Sequence, residues 1–314
     1  MTDKPLVSIL IPCHNAERYV GQCIDSALAQ TYPNTEIIIV DDGSTDGSRQ
    51  VIETYGTRVR AEFNPNAGAN VARNRMLALA RGTWVQYLDS DDYLLPDKIE
   101  KHVTFAMQFD RVDVVYSPVS VLFESGDVMH VGIAQIQDHI ANYLRWSPFA
   151  THSMMLKRDA IRAVGAWKED QPCCQEHELV LRLLLADRTF RCLNEPVGAI
   201  YRYHGNATIS KKNPERVTRI RMDLTDKLVA TVDEWGELFP LRAESAGQAR
   251  FESARSMYPY NREYAKHLMR QAMQMFERHG KPLAPLRYRL AMGILGFEGA
   301  EWLASLTRGA SEIL

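Results

Sequence analysis

The chain has 314 residues, 46% of them hydrophobic and 24% charged, with a formal net charge of −2. That length supplies one large or two modest domains with a buried core, and the near-neutral charge excludes bulk attraction to nucleic acid. Five cysteines (Cys13, Cys23, Cys173, Cys174 and Cys192) are odd in number and lack CxxC spacing, which excludes a disulfide framework or zinc site and fits thiols in a reducing cytoplasm.

The opening MTDKPLVSILIPCHN passes from a short polar start into a β-branched run without the zones of an export signal, and predicts a buried strand over residues 6–11. Residues 16–30 carry Tyr19, Val20, Cys23, Ile24, Ala27 and Leu28 at helical spacing, and residues 36–40 form a second apolar run, giving a βαβ unit. Ser44, Thr45 and Asp46 supply caps for a helix to about Tyr55, followed by a strand over 59–63. Residues 70–81 read as a helix ended by Gly82, and a strand over 84–88 delivers Asp89, Ser90, Asp91 and Asp92 at its carboxyl end. This alternation predicts an α/β fold with a mostly parallel sheet and ligands at the carboxyl ends of the strands. A helix from about Pro96 precedes a strand over 112–118, and the chain to about Ser210 mixes strands with helices such as 176–186. Beyond it, 217–235, 244–256, 261–279 and 286–306 read as helices separated by Pro240, by 258–260 and by 280–285. The expected division is a domain over 1–210, with a donor half to about 120 and an acceptor half over 121–210, then a helical appendage over 211–314. No run approaches the roughly 18 apolar residues of a membrane span, so any membrane contact is peripheral.

Two constellations carry chemistry. In IIIVDDGSTDGS a buried strand ends in Asp41 and Asp42, acceptors suited to a nucleobase N–H or a ribose hydroxyl. A plain Asp-Gly turn with a helix cap explains the same residues. In YLDSDD, Asp89 and Asp91 cluster at a strand end, where repelling carboxylates invite a hard divalent cation that substrate phosphates and water complete. The alternative is an acidic connection capping the next helix, most readily through Asp92.

With both acid pairs in this order on βα units, the chain resembles the family-2 glycosyltransferases of the GT-A fold over about residues 5–210. In VSILIPCHNAERYVGQCIDSALAQTYPNTEIIIVDDGSTDGS the resemblance implies that Pro12, Asn15 and Glu17, with Asp41 and Asp42, line a nucleotide pocket. NPNAGANVARNRMLALARG implies that Gly68 and Arg73 approach the donor, and DSDD implies donor contacts from Asp89 and Ser90 with Asp91 on the metal, Mg²⁺ or Mn²⁺. CCQEHELVLRLLLA is similar to the family's acidic motif and implies Glu176 as catalytic base, with Gln175 standing where the family usually has Glu. Glu176 and Glu178 point roughly 200° apart on a helix, so Glu178 is expected to be a solvated charge paired with Arg182. YRYHGNATIS implies that His204 reaches the metal or diphosphate, unless its role is structural.

The resemblance implies an inverting displacement from a nucleotide diphosphate sugar, most commonly uridine-linked, onto a hydroxyl of a glycan or lipid-linked acceptor in glycan, polysaccharide or glycolipid biosynthesis. The QxxRW signature of processive synthases is absent, which favours addition of single sugars. A noncatalytic nucleotide-sugar-binding protein on the same fold is the alternative, because binding requires no base. The expected location is the cytoplasm or the inner face of its membrane. Leu290, Ile294 and Phe297 share a predicted helical face with Arg287 and Arg289 near its start, open to packing on the catalytic domain, to a second subunit or to a membrane.

Overall fold

The protein is described here by a computed structural model covering residues 4–131, 138–146, 149–195, 198–203, 213–280 and 282–308. It divides into two compact units, Met1–Tyr143 with Ser147–Thr208, and Leu144–Trp146 with Ile209–Leu314.

The first unit is built on β1 (Val7–Cys13), β2 (Thr35–Asp42), β3 (Arg60–Asn64), β4 (Trp84–Tyr87), β6 (Val114–Tyr116), β9 (Met154–Lys157) and β10 (Phe190–Cys192), in the order β10-β6-β9-β4-β1-β2-β3. β5 (Tyr93–Leu94), β7 (Val119–Leu122), β8 (Val128–Val131) and β11 (Ala199–Arg202) form a smaller sheet, ordered β5-β11-β7-β8. Strands β3, β2, β1 and β4 run parallel, with Cys13 opposite Asp41 and Asp42 opposite Asn64, so their carboxyl ends share one edge. The sheet is mostly parallel as expected, with β10 also parallel to β6, and β9 runs antiparallel to both β4 and β6.

β1 and β2 read as continuous apolar runs because both faces of the sheet are covered. Ile9, Ile11, Ile37 and Ile39 enter one buried cluster, while the alternating Leu10, Ile38 and Val40 are buried on the other face. The flanking helices are α1 (Val20–Leu28), α2 (Ser48–Glu53), α3 (Ala69–Leu79), α4 (Lys98–Ala106), α5 (His139–Leu144), α6 (Arg158–Ala163) and α7 (Gln175–Leu185). α1 is shorter than its periodicity because the amides of Ala16 and Glu17 are held by Ser48 and Asp46 rather than by a helical turn. At its other end Gln30 spends its side chain on Leu95 and Ile99.

The second unit carries α8 (Pro214–Glu234), α9 (Pro240–Met257), α10 (Arg262–His279) and α11 (Leu286–Arg308) around Met222, Phe251, Leu268, Ala272, Phe276 and Tyr288. Pro240 does not separate helices as expected; it opens α9, where its fixed φ and missing N–H cost nothing. Asn213 and Asn261 cap α8 and α10 through the amides of Arg216 and Tyr264, each at 3.0 Å. α11 is kinked at Gly296, where φ is 68°.

Candidate active site

The loops after β1 and β2 are laced together at the shared edge. Asn15, itself left-handed at φ 51°, accepts from the Thr45 amide at 2.8 Å, and Glu17 accepts from the Gly47 amide at 3.0 Å. Both side chains remain exposed, and with Ala16, Arg18, Tyr19 and Asp46 they line a cleft. Pro12 stands half-buried at the end of β1 opposite Val40. Asp41 is buried and accepts from the amide and hydroxyl of Ser44. Asp42, also buried, accepts from the amides of Ala67 at 2.7 Å and Gly68 at 2.9 Å. Asp41 thus makes the local turn bond weighed as the alternative for this motif, whereas Asp42 ties the end of β2 to the loop before α3. Gly68 sits at φ 102° before α3, and a Cβ there would meet nothing within 4 Å. Its environment is open enough for another molecule to approach the backbone.

Arg73 joins segments that are distant in sequence. Its side chain is only 6% exposed and lies 2.9 Å from Asp89, 3.9 Å from Glu176 and 3.1 Å from the side-chain Oε1 of Gln175, with a further bond of 3.0 Å to Asn70. The guanidinium also lies over the Trp167 ring at 4.8 Å. Burial disfavours its charge, but the Asp89 and Glu176 carboxylates outweigh that and raise its pKa. Ser90, next along the β4 turn, is buried, and Cys13 close by has its thiol pushed up to about 11 by burial and by Asp41.

Glu176 is half-buried in the first turn of α7 and accepts from the Thr151 hydroxyl at 2.8 Å. Cys174, immediately before this helix, is held in the left-handed region at φ 55°. The solvated charge expected of Glu178 is a correction. It does pair with Arg182, at 2.7 Å, but it is buried, and Arg182 also donates to the carbonyls of Val164 and Ala166. Almost the whole circumference of α7 is covered, with Glu178, Leu179, Val180, Leu181, Leu183 and Leu184 all buried. That coverage turns an ordinary i,i+4 pair into an interior one.

Asp91 is half-buried. Asp92 does not cap α4, which begins after Asp97; it is buried and accepts from the Arg202 amide at 2.8 Å. Its other oxygen lies 3.0 Å from Nδ1 of the buried His152. Arg202 further donates Nε to the Asp91 carbonyl at 3.0 Å and stacks over Tyr19 at 4.7 Å. Neither Arg202 nor His152 stands out in the sequence, although Arg202 lies within the YRYH segment. Burial alone would lower the His152 pKa, but Asp92 in contact and Asp89 beyond it raise it above the ordinary 6.5. His204 lies outside the described residues. Among the described residues no three His, Cys, Asp or Glu side chains come together as a ligand group.

A sheet that places paired acids at the carboxyl ends of β2 and β4, with Glu176 in the first turn of α7 near the Arg73–Asp89 pair, is an α/β arrangement of the GT-A type. Residues 8–165 match the glycosyl transferase family 2 profile, and the chain belongs to that family. It is 35% identical over 164 residues to an uncharacterized glycosyltransferase of Haemophilus influenzae, covering 51% of this chain and 65% of that protein. Over 109 residues it is 44% identical to a putative teichuronic acid biosynthesis glycosyltransferase, TuaG, of Bacillus subtilis, covering 33% of this chain and 43% of the relative. The matches therefore span about two thirds or less of these relatives. Among solved structures, residues 1–349 of S. aureus TarS in complex with UDP-GlcNAc share the fold at a TM-score of 0.66 and 16% identity, over 98% of this chain and 93% of that one.

Proposed function

We propose that this protein transfers a glycosyl group from a nucleoside diphosphate sugar, uridine-linked in the first instance, to a hydroxyl of a glycan or lipid-linked acceptor. The observation that carries the reading is the Arg73 hub, which gathers Asp89 of the β4 edge and Glu176 of α7 around one buried cation. Family membership and the nucleotide-sugar complex of the TarS fold relative support the same chemistry.

In this reading Pro12, Asn15, Glu17, Asp41 and Asp42 form the nucleoside side of the pocket, while Gly68, Arg73, Asp89 and Ser90 border the sugar diphosphate. Asp91, with His204, would hold a divalent cation. The residues suit Mg²⁺ or Mn²⁺, because the described residues offer no closed protein cage and such ions take one or two carboxylates with phosphates and water. When bound, the ion neutralises the charge that builds on the departing diphosphate. Glu176 takes the proton from the acceptor hydroxyl as it attacks the anomeric carbon, with inversion and no covalent enzyme intermediate. Thr151 donates to the Glu176 carboxylate and orients it, with the Arg73 guanidinium 3.9 Å away.

Calorimetric titration of nucleoside diphosphates in the presence of Mn²⁺ tests the pocket and the ion together. Binding weakened at least about tenfold by EDTA or by Asp91→Asn is expected, since the diphosphate would otherwise face Asp89 and Asp91 unneutralised. Affinity indifferent to both removes the metal role assigned to Asp91.

A further inference from the structure

The outer face of α11 carries large apolar side chains in water. In the stretch before the Gly296 kink, Leu286, Leu290 and Ile294 are 63%, 57% and 80% exposed. At i, i+4 and i+8 they fall within an arc of roughly 80°, with Arg287 on one side of the stripe and Arg289 on the other. Tyr288, on the opposite side, is buried and donates its hydroxyl to Glu301. After the kink the arrangement continues with Trp302 and Leu306, one turn apart and 59% and 63% exposed. The kink parts Phe297 from the stripe with which the sequence grouped it, and Phe297 packs inward against Tyr258 at 5.3 Å.

The charges on this helix are unequal in their partners. Its two acids are neutralised within the unit, Glu298 by Lys266 at 3.0 Å and Glu301 by Arg255 at 2.9 Å. Arg287 and Arg289 form no ion pair among the described residues, and residues 286–297 contain no acid at all. Exposed leucine and isoleucine flanked by unneutralised arginines, with a tryptophan farther along, match a surface that is apolar inside and anionic at its rim. We propose that α11 docks on an anionic lipid bilayer, lying in the headgroup plane with Leu286, Leu290 and Ile294 buried and the two arginines on phosphates. Spanning is excluded for the described helices, none of which is long and apolar enough to cross a membrane. Pairing with a second copy fits the charges less well. A two-fold contact lays a patch on itself, and Arg287 and Arg289 would approach the same arginines with no acid in the stretch to receive them.

Flotation of the full chain with phosphatidylglycerol/phosphatidylcholine vesicles, against phosphatidylcholine alone, reads the interaction directly. The wild type is expected to float with the anionic vesicles and less so as salt rises. Leu290→Ser with Ile294→Ser, and separately Arg287→Gln with Arg289→Gln, should each lower the bound fraction about tenfold or more. All four positions are exposed, so an unchanged melting temperature confirms that each variant is folded. A wild type that does not float, or double variants that float as it does, overturns the proposal. So does self-association, read by sedimentation equilibrium, that Leu290→Ser with Ile294→Ser abolishes in a chain that ignores vesicles.

Discussion

Arg73 is the side chain on which most of the site depends, because one buried guanidinium meets Asp89, Asn70, Gln175 and Glu176. Two neighbouring ion pairs make different and checkable contributions. Glu178 is buried against Arg182, so Glu178→Gln removes charge-assisted bonds from an interior site and should cost about 1–3 kcal/mol of folding stability, measured by denaturant titration, with transfer retained. An unchanged midpoint would mean that the pair contributes nothing. The His152–Asp92 contact gives the stability a pH dependence. The folded pKa of His152 is raised, so the protonated imidazole stabilises fully below its unfolded value of about 6.5, and that contribution is lost as pH rises through the folded value. Stability should fall by up to about 1.4 kcal/mol per pH unit across that window, and His152→Gln should flatten the slope. A slope that survives the substitution belongs to another group. The acids of β2 and β4 were legible in the sequence because each follows an apolar run. Arg202 and His152 were not, since an isolated basic residue has no periodicity and its partner lies far along the chain, Asp92 being 110 residues from Arg202.

At the scale of elements, the parallel strands with shared register bring the loops after β1, β2, β3 and β4 to one edge, and this is the part of the fold that alternating apolar runs and helical spacing predict well. The antiparallel β9 escapes such a reading, because a short buried strand carries no mark of its direction. The kink in α11 escapes for a related reason: Gly296 interrupts a pattern that otherwise continues at helical spacing. The turn between β3 and α3 is the element whose backbone is most exacting. Gly68 at φ 102° and ψ 152° occupies a region that side chains with a Cβ rarely enter, while the two amides before α3 are held by Asp42. Gly68→Ala should cost about 1–3 kcal/mol from backbone conformation alone, since no neighbour crowds the added methyl. Denaturant titration checks the figure; an unchanged midpoint would mean that the turn tolerates another conformation.

Over the whole molecule, the matched family segment, residues 8–165, covers the β1 to β4 edge but ends before Glu176, so the proposed base rests on its own geometry beside Arg73 and Thr151. The four helices of the second unit, with the exposed α11 stripe, lie beyond that segment. The central claim joins these parts into one enzyme that moves a sugar from a nucleotide to a hydroxyl. Its most direct test is release of nucleoside diphosphate from a panel of nucleotide sugars, with and without candidate acceptors, by the wild type and by Glu176→Gln, with donor affinity measured in parallel. The account predicts acceptor-dependent release by the wild type and a loss of about 10²–10⁴ in rate for Glu176→Gln at unchanged donor affinity. Glu176→Gln turning over at the wild-type rate, or donor binding by the wild type without any acceptor-dependent release, would contradict it.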